Sequence, residues 1–235
     1  AYVGGSGLAA RYLLDLAPDD VDPLAPENPL ILMTGPLVGT SMPSAGRYSV
    51  SAYSPLTGLW GEANAGGFFG PALRFAGYDG VIITGAAESP VRLSIVDGTA
   101  TVQDGGALWG LDTYETQAEV RRLMGDPDGG GAGKTRVVCI GPAGEHLAKM
   151  AALINDHGRA AGRTGLGAVM GSKRLKAIAV RGDAPVPVAD PTALRSVVRE
   201  VIRANNEDMA TMSLRLAGTA GYWDMGLMYN DTPIR

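Results

Sequence analysis

The sequence has a single cysteine, Cys139, in 235 residues. One thiol cannot close a disulfide, and neither a zinc site of the cysteine type nor an iron–sulfur cluster can be assembled from it. A reducing compartment fits this usage best, so a cytoplasmic location is expected. Histidine is scarce as well. His146 and His157 do not stand at metal-ligand spacing from each other or from the cysteine. His146 reads as a helix-start or surface residue, and His157, inside a glycine-rich loop, as one that could touch a ligand. Long apolar runs are missing: PLILM at 29–33 and VIIT at 81–84 are strand-sized, far short of the ~20 residues of a spanning helix, which implies a soluble chain with no membrane partner. Basic charge is not in excess either. The net charge of −4 supplies no cationic face for a general nucleic-acid binder. The opening AYVGGSGLAARYLL has no signal-peptide pattern, and the lack of an initiator Met suggests that some N-terminal chain is absent.

Glycine, by contrast, is abundant. The 34 glycines are roughly twice the usual share of about 7%, without a collagen-like period. They are clustered, so they mark particular loops. A hydrophobic fraction of 46% is enough to bury a core.

Short strands and helices alternate along the chain. Residues 8–17 have helical spacing, and LILMT (30–34), RYSVSAY (47–53), VIIT and RVVCI (136–140) read as strands. GPALRFAG (70–77) reads as a short helix. VRLSIVDGTATVQD carries an Asp-Gly turn between two alternating runs, a hairpin signal. TYETQAEVRRLM is an amphipathic helix with Thr113 and Thr116 as candidate caps. HLAKMAALI and AVMGSKRL read as further helices and KAIAV as a final strand. APVPVADP then forms a linker, followed by a strongly helical segment. The expected domains are 1–187, an α+β unit, and 188–235, the incomplete beginning of an all-helical domain.

Two stretches resemble each other. LILMTGPLVG (30–39) matches RVVCIGPAGE (136–145), and residues 66–85 match 165–182 in order and spacing. The shared unit is strand, Gly-Pro turn, Gly-rich loop, short helix, strand ending in glycine. Such a duplication predicts pseudo-twofold symmetry, with the glycine loops at 61–70 and 158–167 meeting across the axis to hold something two-headed and anionic.

Two look-alike motifs are set aside. GSGLAA (5–10) fits a dinucleotide fingerprint, yet no acidic residue ends a second strand about 20 residues on. GGGAGKT (129–135) resembles a phosphate loop, but Asp128 replaces the first glycine, and the segment runs from helix to strand, the reverse of the required context. The stronger signal is Arg47, Asn64, Arg159 and Arg163 beside glycines. Glycine lets successive N–H groups face one anion, and arginine adds bidentate, permanently charged donors.

These strings, above all NAGGFFGPALRFAGYDGVII and NDHGRAAGRTGLGAVMGSKRLKAIAVRG, closely resemble the N-terminal domain of the tungsten-containing aldehyde ferredoxin oxidoreductase family, from about residue 2 to 183. The resemblance implies a tungsten held by two pterin dithiolenes (molybdopterin type), a Mg2+ bridging their phosphates, and a neighbouring 4Fe-4S cluster. Carried across, Arg47, Asn64, Gly66, Arg159, Ala160, Gly162 and Arg163 fall on the family's pterin-contacting pattern. Asn64 and Ala160 would reach Mg2+ through backbone carbonyls. The cluster cysteines and the catalytic acid and base of the family lie outside these residues, and Ser6 stands where the family often has arginine. The implied activity is oxidation of an aldehyde to a carboxylic acid, with electrons passed through the cluster to ferredoxin or an iron–sulfur subunit, in a homo-oligomer or larger complex. The alternatives are a same-family reductase of an aromatic thioester or carboxylic acid, and a scaffold that has lost the metal.

Overall fold

The computed structural model describes residues 2–128 and 134–231. The chain divides into two compact units, Ala1–Thr40 with Ser44–Pro187, and Ser41–Pro43 with Val188–Arg235. The first is a mixed α+β unit. In chain order it comprises α1 (Gly5–Leu16), β1 (Leu30–Thr34), β2 (Tyr48–Tyr53), β3 (Trp60–Ala65), α2 (Phe69–Phe75), β4 (Gly80–Ile83), β5 (Val91–Val96) and β6 (Thr99–Asp104). After these come α3 (Thr113–Leu123), β7 (Arg136–Cys139), α4 (Pro142–Glu145), β8 (Leu153–Asn155), β9 (Arg159–Ala161), α5 (Leu166–Ser172) and β10 (Leu175–Arg181).

The strands form two sheets, ordered β3-β2-β1-β4 and β6-β5-β10-β7-β8-β9. β1 is buried on both faces, which is why LILMT is apolar throughout instead of alternating. Leu30, Leu32, Tyr48 and Val50 of the first sheet share one core with Val138, Leu153, Ile178 and Val180 of the second, and Phe69, Leu73, Leu166, Val169 and Met170 of α2 and α5 complete it. Each fully buried Leu or Val contributes ~1.5–3 kcal/mol relative to exposure. On its other face the first sheet is covered by α1 through Ala9 and Leu13 against Ile31 and Met33. A smaller cluster sets Val120 of α3 against Val137, Cys139, Ala177 and Ala179.

One arrangement occurs twice. β9-β8-β7-β10 repeats the order β3-β2-β1-β4, antiparallel throughout, with α5 between β9 and β10 as α2 lies between β3 and β4. The registers agree as well. Met33 pairs with Ser49 and Gly80, and Cys139 pairs with Ile154 and Ala177. Each stands two residues before a Gly-Pro step, Gly35-Pro36 or Gly141-Pro142. One strand further out, Ser49 pairs with Asn64 and Ile154 with Ala160. Asn64 and Ala160 therefore occupy the same place in the two motifs, and Gly66 and Gly162 follow each at the same distance.

Several local expectations need correction. Much of the two glycine-rich loops is strand: in β3 Gly61, Ala63 and Ala65 alternate inward, and β9 pairs with β8. Small residues satisfy the pleat where large apolar ones would not fit. HLAKMAALI is not a helix. The chain leaves α4 with Leu147 at φ 58, a conformation that breaks a helix, and Leu153 enters β8. The cap of α3 is Asp112, which accepts from Tyr114 N–H and Glu115 N–H at 2.8 Å each, while Glu115 closes a capping box. Thr116 instead donates to Asp112 O at 2.6 Å. Residues 129–133 of GGGAGKT lie outside the described residues.

The second unit contains α6 (Pro191–Glu207), α7 (Met209–Ala217) and α8 (Trp223–Met228). Asp190 and Asp208 cap the first two by accepting from Thr192, Ala193 and Thr211 N–H groups. Val197, Ile202, Leu214 and Trp223 are exposed.

Candidate cofactor site

A cavity of about 600 Å³ is lined by Arg47, Glu62, Ala63, Asn64, Ala160, Gly162 and Arg163. It lies where β3 runs beside β9. Five of the seven residues singled out from the sequence line it. Gly66 adjoins Arg47 of the lining, and Arg159 precedes the lining Ala160 in β9 and lies beside Gly67. A Cβ added to Gly66 would lie 3.5 Å from Arg47 Nη1, and one added to Gly67 would lie 3.2 Å from Arg159 Cγ. Ser6 is in the first turn of α1 and does not line the cavity.

Arg47 enters from the residue before β2. Its Nε donates to Asn64 Oδ1 at 2.7 Å and its Nη2 to the Asn64 carbonyl at 3.0 Å. The guanidinium is thus oriented by an amide, not neutralised by a carboxylate. Among the described residues neither Arg159 nor Arg163 has an ion-pair or hydrogen-bond partner for its guanidinium, and both residues are exposed. Both guanidiniums are therefore free to meet a ligand. Glu62 was not anticipated; it shares the outward face of β3 with Asn64, and its carboxylate contributes the one negative charge to the lining. The cavity therefore offers two guanidiniums, small residues that leave room beside them, and carbonyl and carboxylate oxygens. Such a set suits a phosphate together with a hard divalent cation.

The floor beside the cavity was also missed. Asn155 Nδ2 donates to the Gly66 carbonyl at 3.0 Å, and Asp156 Oδ2 accepts from the Phe68 N–H at 2.6 Å. A pair such as Asn-Asp before His-Gly signals a turn, and nothing in the sequence shows which backbone it grips. Ser54 Oγ, on the other side, donates to the Thr164 carbonyl at 2.7 Å.

His157 turns away from the cavity. Its Nε2 lies 3.0 Å from Arg121 Nη2 and its ring stacks on Tyr114. Cys139 is buried, and desolvation pushes its thiol up to about 12. Among the described residues no group of three or more His, Cys, Asp or Glu could hold a metal ion. A second cavity of about 490 Å³, between Val81–Ala87 and Val91, Leu93, Ala100 and Val102, is apolar except for Thr84 and Lys173. It lacks the charged set. No helix of the described residues is long and apolar enough to cross a membrane.

Comparison with known proteins gives the same direction. The model of a family described as aldehyde ferredoxin oxidoreductase, N-terminal domain, matches residues 1–182. The chain is 48% identical over 220 residues to a tungsten-containing aldehyde ferredoxin oxidoreductase of Pyrococcus furiosus, which covers 93% of this chain and 35% of that protein. It is 35% identical over 250 residues to an aliphatic sulfonate oxidoreductase, WOR-like subunit, of the same organism, over 100% of this chain and 38% of that one. Among solved structures, the active-site complex BamBC of benzoyl coenzyme A reductase with 1,5-dienoyl-CoA superposes with a TM-score of 0.82 at 36% identity, over 87% of this chain and 30% of that one. The chain spans about a third of the length of these curated relatives. With the family model covering most of its residues and nearly half of its positions identical to a tungsten enzyme, the chain belongs to the aldehyde ferredoxin oxidoreductase family and carries its N-terminal domain.

Proposed function

We propose that this chain is the cofactor-binding part of a tungsten bis-pterin oxidoreductase that oxidises aldehydes to carboxylic acids. The observation that carries the reading is the cavity that Asn64 and Ala160, equivalent by register, line together with the guanidiniums of Arg47 and Arg163, neither of which is paired with a carboxylate. In this reading residues 1–187 are the bis-pterin domain, built from a duplicated unit with pseudo-twofold symmetry, and residues 188–235 open a helical domain. Arg47, Arg159 and Arg163 would hold the pterin phosphates, Gly66 and Gly162 would let backbone N–H groups approach, and the carbonyls of Asn64 and Ala160 would serve Mg2+, a cation that prefers oxygen ligands. When bound, the tungsten bis-pterin supplies the redox chemistry, accepting two electrons from the substrate for transfer by way of a 4Fe-4S cluster to ferredoxin or an iron–sulfur subunit. The residues of this chain supply placement and charge. The cluster ligands and the acid and base belong to sequence outside these residues, and the whole protein is cytoplasmic.

The likeness to the BamBC complex supports a second reading, a reductase of an aromatic thioester or carboxylic acid on the same cradle. A scaffold without metal is disfavoured, because a scaffold has no physical need for Arg159 and Arg163 beside a glycine-lined cavity. The test is elemental analysis of the native full-length protein together with its pterin content. About one W, one Mg and four Fe per chain are expected, and Arg159→Ala or Arg163→Ala is expected to lower bound pterin at least tenfold, the loss of a charge-assisted contact. Full pterin occupancy in both variants would sink the cradle. Turnover of an aldehyde against an aromatic thioester then separates the two enzymatic readings.

A further inference from the structure

We propose that Asn155 and Asp156 are positioning residues that fix the separation of the two halves of the cradle; the proposal rests on the cofactor reading above. Neither residue lines the cavity. β3 and β9 belong to different sheets, so no strand ladder sets the distance between Asn64 and Ala160. That distance must be set by side chains.

Asn155 is fully buried. Its Oδ1 accepts from the Tyr48 hydroxyl at 3.0 Å, and its Nδ2 donates to the Gly66 carbonyl at 3.0 Å and to Asp156 Oδ2 at 2.9 Å. The same Asp156 oxygen accepts from the Phe68 N–H at 2.6 Å, while Oδ1 lies 3.4 Å from Arg136 Nη1. The Arg136 guanidinium covers the Phe68 ring at 4.6 Å. The turn Gly66–Phe68 is therefore gripped on both sides of Gly67. Gly67 itself has φ +93, and an added Cβ would stand 2.3 Å from Asp156 Oδ2, so only glycine fits beneath the carboxylate. Asp156 and His157 hold left-handed backbone at φ 44 and 57. Strain of that kind persists only where the surroundings enforce it.

The clamp is one-sided. By the shared register the first motif has Val50 and Ser51 at the places of Asn155 and Asp156. The repeat alone does not generate the clamp; it reaches from the second motif into the first and couples them.

The sign of one substitution separates positioning from charge. Removing a carboxylate beside an anion site should tighten anion binding if only Coulomb's law acted. Loss of a clamp should weaken it. The experiment measures binding of magnesium pyrophosphate to the full chain by calorimetry, with hydrogen exchange at the Phe68 amide and the thermal midpoint recorded in parallel. We expect at least tenfold weaker binding and faster Phe68 exchange in Asp156→Ala, and recovery in Asp156→Asn, whose amide oxygen can still accept from Phe68. Arg163→Ala should weaken binding without altering Phe68 exchange. Wild-type or tighter affinity in Asp156→Ala, with Arg163→Ala impaired, overturns the clamp and leaves the cradle standing. If the wild-type chain does not bind the probe at all, the cradle fails and the clamp falls with it. Should Asp156→Ala not fold, the uncharged change Asn155→Ser, too short to reach Gly66, decides the matter: it must weaken binding, and unchanged affinity overturns the proposal.

Discussion

The two four-stranded motifs of the first unit share strand order and register, yet they stabilise their equivalent positions by different means. In the second, Lys176 and Glu145 form a buried ion pair, with side chains 0% and 2% exposed. Lys176 also donates to the Leu111 carbonyl, and Glu145 accepts from the Gly110 N–H. The matching places of the first motif hold Asp79 and Gly39. Asp79 pairs instead with Arg74 and is largely exposed. The second motif carries an additional hairpin and helix on its sheet, and the ion pair ties the segment before α3 to that core. Register is thus set by strands and turns, whereas charge pairs secure whatever has been added.

The largest effect should come from breaking that pair. Lys176→Met leaves Glu145 buried and unpaired, and a loss of ~3–5 kcal/mol is expected in urea denaturation. Adding Glu145→Leu should restore much of it, short of ~1–3 kcal/mol for the orphaned Gly110 and Leu111 backbone groups. A double variant no better than the single one would show that the pair acts by more than charge. The next test probes equivalence itself. Gly80 and Ala177 hold one register position, but a Cβ at Gly80 would lie 2.7 Å from Leu32 O and 2.6 Å from Met33 Sδ. Gly80→Ala should therefore cost ~1–3 kcal/mol, against ~0.5–1 kcal/mol for Ala177→Gly.

Lys173 gives a pH signature. It is buried, donates to the Pro26 and Gly85 carbonyls, and is lowered to about 8 by desolvation, which Glu27 partly offsets. A lysine depressed in the folded state must give up burial energy to stay charged below pH 8. Stability relative to Lys173→Met should therefore rise between pH 8 and about 10.5, by an amount on the order of 1–2 kcal/mol from pH 7.5 to 9.5. A flat difference between the two proteins across that window would contradict the depressed value. A small effect belongs to the added helix: Asp112→Ala removes the α3 cap and should cost about 1 kcal/mol, read as a lower thermal midpoint without loss of the sheets' circular dichroism.

Much of this architecture was legible. Apolar runs gave β1, β4, β7 and β10, alternation gave β2, and the Asp97-Gly98 turn gave the hairpin, because these signals are local. β3 and β9 were not legible as strands, since their inward residues are glycine and alanine, whose small size matters only once another backbone lies above them. The segment after α4 misled because helical spacing says nothing of Leu147 turning left-handed. In the site, arginines and an asparagine beside glycines were enough to single out Arg47, Asn64, Arg159 and Arg163, whereas Gly66, Ala160 and Gly162 came from the family resemblance. Glu62, Asn155 and Asp156 were not found, as each acts through a partner remote in sequence.

By itself the sequence determined where the apolar strands and the Gly-Pro turns fall and that the same unit is written twice, because strand propensity, turn chemistry and repeat spacing are properties of neighbouring residues. Only the tertiary structure decided that Asn64 and Ala160 face one cavity and that Asn155 and Asp156 hold the turn at Gly67. Those relations join two sheets, and they exist only once a shared core has brought the sheets together.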